Sequence, residues 1–252
     1  MFKSASSPVA PSKQESSPNR YSNALIELFE SQFKVDSSQA GAVVAVGEAS
    51  LVELFLEHRY PIAVVDPNAQ VRARCERLIA SQRGASVHEG TPDATGLADA
   101  SLDFVASARA LYWPNQVGVA KEFRRILRPG GAVALVTDTR VYSGGEQSED
   151  YVDLLRTHCA TFKEKAEPYD IAGAVSRFFA GNDVYEDAFI GHQQLTFEGL
   201  VDQTCALSIY PPEGDPEQQR IEVALRKHFK RFAVEGILMV PKVSRVAFGH
   251  LN

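Results

Sequence analysis

Residues 90–136, GTPDATGLADASLDFVASARALYWPNQVGVAKEFRRILRPGGAVALV, decide the fold. SLDFVASA is a short apolar run of the length of a buried strand. NQVGVAKEFRRILR carries Val117, Ala120, Phe123 and Leu127 at helical spacing, with charges on the opposite face. Pro129 cannot continue that helix, and Gly130 and Gly131 allow positive φ. AVALV then enters a second buried strand. Strand, crossover helix and strand in this order belong to a parallel sheet covered on both faces.

The same alternation extends upstream. A short amphipathic helix is expected over 21–33, with Leu25, Leu28 and Phe29 on one side. Strands follow at 40–48, 61–68 and 86–90, separated by helices at 50–59 and 69–83. This pattern predicts a doubly wound, Rossmann-like α/β sheet, mostly parallel, with right-handed crossovers. Beyond residue 140 the pattern changes. Residues 141–197 read as a helical cap inserted after the fifth strand, with a Gly144-Gly145 hinge and a strand-like DAFIGHQQLTF at its end. Two further helices are expected over 197–207 and 215–233, and the chain closes as an antiparallel strand, in which Pro241 favours an edge or a bulge. Residues 1–20 are rich in Ser and Pro and poor in large apolar side chains, so a disordered tail is expected there, ahead of one domain over 21–252.

Bulk properties narrow the function. A chain of 252 residues with 44% hydrophobic content can bury a large core without disulfides or metal. The net charge of −6 argues against a nucleic-acid binder that works by bulk charge. Three cysteines (Cys75, Cys159 and Cys205) are odd in number and far apart. They show no metal spacing and fit a reducing, cytoplasmic compartment. No apolar run reaches the roughly 18 residues of a membrane span, so no membrane partner is expected. A P-loop, an HExxH zinc motif and a G-x-S-x-G elbow are absent. Oligomeric state leaves no signal.

The stretch 90–136 closely resembles the second half of class I S-adenosylmethionine-dependent methyltransferases of the small-molecule type 11 group. The likeness rests on Asp93-Ala94, Leu97, Asp99-Ala100-Ser101, Asp103, Trp113, Glu122-Phe123-Arg124-Arg125, Leu127 and Pro129-Gly130-Gly131 at matching spacing, and it continues weakly to the C-terminus. The resemblance implies S-adenosylmethionine as cofactor and a small molecule as methyl acceptor. It also implies that Asp93 and Ala94 lie in the loop that contacts adenine.

In doubly wound sheets ligands sit beyond the carboxyl ends of the strands, where strand order reverses. Gly47, Asp66, Asp93 and Ser107 all fall at or just past such ends. Asp66, followed by Pro67, lies 19 residues after Gly47, close to the offset of an acidic ribose ligand. A carboxylate there can accept both ribose hydroxyls; the competing reading is a turn cap before the next helix. Tyr112 and Trp113 are expected to line a substrate pocket with Arg109. His192 and Tyr112 are the candidates for a base.

The first loop departs from the family. Relatives carry an acid inside strand one and three glycines after it, whereas this chain reads Ala45-Val46-Gly47-Glu48-Ala49-Ser50-Leu51. Glu48 stands where a carboxylate could face the cofactor's sulfonium or ammonium. Leu51 could fill the space of the methionine moiety or pack under the first crossover helix. Arg109 replaces a frequent Gln, and a guanidinium facing a sulfonium is repulsive; it could instead point outward or bind an anion. Three functions therefore stand: a methyltransferase; a pseudo-methyltransferase acting as a binding or regulatory partner; and a cofactor-free enzyme on the same fold.

Overall fold

The computed structural model describes residues 23–47, 49–159, 162, 170–205, 207 and 209–251; the expected tail, Glu48 and part of the expected cap lie outside the described residues. The elements run α1 (Ala24–Phe33), β1 (Gly41–Val44), α2 (Ser50–Glu57), β2 (Ile62–Val65), α3 (Ala69–Ile79), β3 (Ser86–His88) and β4 (Leu102–Ser107). A 3-10 turn (Ala110–Tyr112) leads to α4 (Gln116–Ile126) and β5 (Leu127–Arg140). Then come α5 (Glu146–His158), α6 (Ile171–Phe178), β6 (Val184–Leu195), α7 (Phe197–Cys205), α8 (Glu217–Phe232) and β7 (Leu238–His250). One seven-stranded sheet has the order β3-β2-β1-β4-β5-β7-β6. The first five strands are parallel, and β7 and β6 join antiparallel. Strand order reverses between β1 and β4, which places the switch point there.

Apolar residues on both faces of each central strand force helices onto both sides. On one face α1, α2 and α3 cover Val43, Val64, Phe104 and Phe248. On the other α4 and α6 cover Val44, Val105, Val133 and Leu135. Phe104 is fully buried and meets Phe29, Phe55 and Tyr60 at centroid distances of 5.1, 5.2 and 5.6 Å. A third apolar cluster joins α5, α7 and α8 to the far ends of β6 and β7, through Tyr151, Leu155, Leu200, Ile221, Leu225 and Leu238.

Four local expectations change. The buried stripe of α4 is Val119, Phe123 and Ile126, while Val117 is 83% exposed. Positions 117 and 119 are about 200° apart on a helix, so only one can face the sheet, and the stripe that contains Phe123 wins. That helix ends at Ile126; Leu127 is already extended (φ −78, ψ 142) and begins β5. Only Gly130 uses positive φ (81°), whereas at Gly131 a Cβ would lie 2.8 Å from Leu127 Cδ2. Pro241 is not on an edge strand: β7 is interior, flanked by β5 and β6. Its carbonyl accepts from Val141 N–H just past the end of β5. The missing Pro241 N–H therefore falls where the ladder has run out. Residues 184–195, inside the expected cap, form the outer edge strand of the sheet.

Candidate functional site

The strand ends build the site. Val65, Val44, Ser107 and Leu135 stand side by side on one rung of β2, β1, β4 and β5. The chain therefore leaves β1, β2 and β4 at the same height, with neighbouring strands about 4.8 Å apart. Past that rung the first loop turns tightly. Ala45 (φ 53), Gly47 (φ 65) and Ala49 (φ 67) are all left-handed. The two alanines store on the order of 1 kcal/mol each, since a Cβ resists that conformation. Two bonds to the neighbouring strand hold the loop: Ala45 N–H donates to Val65 O (2.9 Å) and Val46 N–H to Asp66 Oδ2 (2.9 Å). Leu51 is fully buried and joins the core with Leu25, Phe29 and Phe55, so of its two expected places it takes the one beneath the helices.

Asp66 is the first residue past β2 and is 5% exposed. Its Oδ1 accepts from Asn68 N–H (2.8 Å), and Asn68 in turn caps α3 by accepting from Gln70 N–H (2.9 Å). Asp66 thus ties the first loop to the start of α3, and each carboxylate oxygen keeps a second acceptor direction. Pro67 and Ala94 are exposed beside it and beside Asp93 respectively. Ser107 is buried, and its Oγ accepts from Ala110 N–H (3.0 Å), which sets the turn after β4.

Asp93 gathers three donors. Its Oδ1 accepts from Thr91 Oγ1 (2.8 Å) and Trp113 Nε1 (3.1 Å), and its Oδ2 from Asn115 Nδ2 (2.9 Å). These bonds, Thr91 and Asn115 first, hold its carboxyl below the usual carboxylate range. Sequence reasoning missed Asn115, although an Asn just ahead of an apolar-periodic run is a helix-cap signal; its Oδ1 also accepts from Gly118 N–H (3.1 Å). One residue past Ala94, the loop is pinned by Glu122, which accepts from Thr95 N–H (2.8 Å) and Thr95 Oγ1 (2.6 Å). Arg125 above all, with Thr95, pulls the Glu122 carboxyl from 4.5 down to about 2. Its stabilising contribution is complete above pH 4.5 and is lost as pH falls toward 2. Glu122→Gln should therefore cost about 2 kcal/mol near neutrality and flatten the acid limb of a stability-against-pH curve between those values. A variant whose curve parallels the parent's would remove Glu122 from that role.

The remaining predicted residues scatter. Arg109 is exposed, yet its Nε lies 2.9 Å from where a Cβ on Gly47 would stand, so the guanidinium crosses the first loop. Tyr112 is 46% exposed and Trp113 is half-buried against Asp93. His192 is exposed on the outer edge strand, paired in register with Pro241 and separated from β4 by β5 and β7. The structure does not bring it to the crevice. A cleft of about 390 Å³ opens beside Leu111, between α6 and the β5-β7-β6 ribbon, lined by Leu135, Thr137, Val175 and Arg245 among others. Among the described residues no metal-binding cluster and no helix long and apolar enough to cross a membrane occur.

Comparison with known proteins agrees with this architecture. The family model described as "Methyltransferase domain" matches residues 43–135, from β1 into β5. No curated protein matches the chain. Among solved structures, a provisionally assigned type II methyltransferase from Anaeromyxobacter dehalogenans is 17% identical, covering 93% of this chain and 98% of that one, with a TM-score of 0.59. A provisionally assigned methyltransferase of an antibiotic biosynthesis pathway from Anabaena variabilis is 12% identical over 88% and 96% of the two chains, with a TM-score of 0.57. Another from Bacillus halodurans is 13% identical over 90% and 98%, with a TM-score of 0.54. Residues 43–135 thus match the methyltransferase-domain family model, and the chain as a whole shares the mostly parallel, Rossmann-like fold of these three solved structures.

Proposed function

We propose that the crevice above β1, β2 and β4 binds S-adenosylmethionine and that the protein transfers its methyl group to a small molecule. The observation that carries this reading is the shared rung of Val65, Val44 and Ser107, which sets Asp66 one strand away from the first loop. The donor inventory fits such a ligand. Two of the roughly four acceptor directions of Asp66 are taken by backbone N–H groups, which leaves two for a pair of ribose hydroxyls. Three of those of Asp93 are taken, which leaves one on Oδ2 for an adenine amino group.

When bound, the cofactor supplies an electrophilic methyl group on sulfur, and the protein's task is alignment and exclusion of water. Asp66 and the left-handed turn hold one end of the crevice; the Asp93-Trp113-Asn115 set holds another. The cleft beside Leu111 offers the acceptor a partly apolar wall. Arg109 must swing off Gly47 to admit the cofactor, and its charge opposes a sulfonium more than a neutral thioether. Arg109→Ala should tighten S-adenosylmethionine by about tenfold relative to S-adenosylhomocysteine, read by calorimetric titration of both. Equal changes for the two ligands would remove the electrostatic argument.

Arg109 across Gly47 also favours the second reading, a pseudo-methyltransferase whose first loop no longer admits cofactor. Incubation with methyl-labelled S-adenosylmethionine and a panel of small acids, phenols and amines separates the two. The methyltransferase reading expects label in the small-molecule fraction. A folded protein that binds no S-adenosylhomocysteine and transfers no label points to the pseudo-enzyme.

A further inference from the structure

Arg140, the last residue of β5, is a half-buried cation with no ion-pair partner among the described residues. Its guanidinium carbon lies 3.6 Å above the Tyr151 ring centroid, and its Nη2 is enclosed with no hydrogen-bond partner among the described residues. In the antiparallel ladder Arg140 pairs with Lys242, so two cations stand opposite each other on one face. Asp138, two residues earlier on the same face of β5, is committed to Lys242 Nζ (3.0 Å) and Ser244 Oγ (2.5 Å). Burial pushes the Arg140 guanidinium below its ordinary value, and only Tyr151 and Tyr142 act against that. The Arg140 guanidinium therefore has no carboxylate partner among the described residues.

Two more side-chain nitrogens are enclosed with no hydrogen-bond partner among the described residues: Gln147 Nε2 and His228 Nε2. Gln147 is one helical turn before Tyr151 on α5, hence on the same face. The His228 ring centroid lies 5.7 Å from that of Tyr151, and its Nδ1 is held by Asp150 at 2.7 Å. The Tyr142 ring stacks over Tyr151 at 6.4 Å. Leaving a buried donor unmade is expensive, and leaving a buried charge unpaired is more so. Arg140 Nη2 and Gln147 Nε2 are two such donors on elements that meet at Tyr151, whereas His228, with Nδ1–H given to Asp150, turns an acceptor toward the ring.

We propose that Arg140 and Gln147, beside the Tyr151 ring, form a binding site for the carboxylate of a small organic acid. One guanidinium without a carboxylate partner and two donors, Arg140 Nη2 and Gln147 Nε2, suit a planar monoanion, whereas a phosphate dianion asks for more of both. The Tyr142 and Tyr151 rings offer the acid's body an aromatic flank. The site lies above α5 and α8, about 17 Å along β5 from the Ser107–Leu135 rung. It stands whether or not the crevice holds a cofactor.

Thermal unfolding of the full chain tests this with benzoate, the neutral isostere benzamide and inorganic phosphate at matched ionic strength. Benzoate should raise the melting temperature by several degrees in a saturable way, with benzamide inert and phosphate weaker. Arg140→Met keeps the stem over Tyr151 and removes the charge. It should melt higher than the parent without ligand and lose the benzoate shift. Gln147→Ala, near the exposed start of α5, should weaken the shift and serves if Arg140→Met fails to fold. An equal benzoate shift in the variants, no shift in the parent, or a larger response to phosphate or benzamide overturns the proposal. S-adenosylhomocysteine in a parallel arm keeps the two ideas apart: its shift should survive in Arg140→Met, and its absence with a benzoate shift present would count against the crevice alone.

Discussion

Asp66→Ala should weaken S-adenosylhomocysteine binding by about 100-fold and lower unfolding free energy by about 2 kcal/mol. The first figure is two hydrogen bonds to a carboxylate at roughly 1.5 kcal/mol each. The second is the cost of stranding the buried Val46 N–H, which Asp66 Oδ2 now satisfies at 2.9 Å. Asp66→Asn separates the two effects. It keeps one side-chain oxygen for a backbone partner while losing the charge, so stability should fall less than affinity. Calorimetric titration gives the first quantity and urea unfolding the second. If Asp66→Ala loses stability yet binds the ligand as the parent does, the residue is only a tie between β2, the first loop and α3.

Gly41→Ala should cost about 3 kcal/mol, which lowers the melting temperature of a domain this size by roughly 6–12 °C. A Cβ at that position would lie 2.0 Å from Phe104 Cζ. The ring has no room to retreat, because Phe29, Phe55 and Tyr60 close around it. Gly41 opens β1, whose end carries the first loop, so a displaced Phe104 disturbs the switch point as well as the core. Circular dichroism against temperature measures the effect. A melting point within a degree of the parent's would mean that this aromatic cluster yields more easily than its burial implies.

Strand and helix alternation was legible because it follows from burial. β1, β2 and β4 are short runs of Val, Ala, Ile and Phe buried on both faces, and such runs admit few other placements. The left-handed turn was legible in part: Ala49 falls in the loop where relatives carry glycines, but Ala45 stands in place of an acid, carried no such signal and is equally left-handed. What stayed hidden was contact between residues distant in sequence. Nothing local in Arg109 says that it lies over Gly47, and nothing in Arg140 says that its facing cation is Lys242. His192 attracted notice as a chemically able side chain, yet its register on β6 keeps it away from β4. Asp66 was placed at a strand end correctly, Asp93 lies five residues past the end of β3 at His88, and the donors that already engage both follow only from the folded loops.

The most direct test of the central claim is titration calorimetry of the unmodified chain with S-adenosylhomocysteine. The account predicts saturable one-to-one binding at micromolar concentration, sharply weakened in Asp66→Ala. A folded chain that takes up no ligand at millimolar concentration would contradict it.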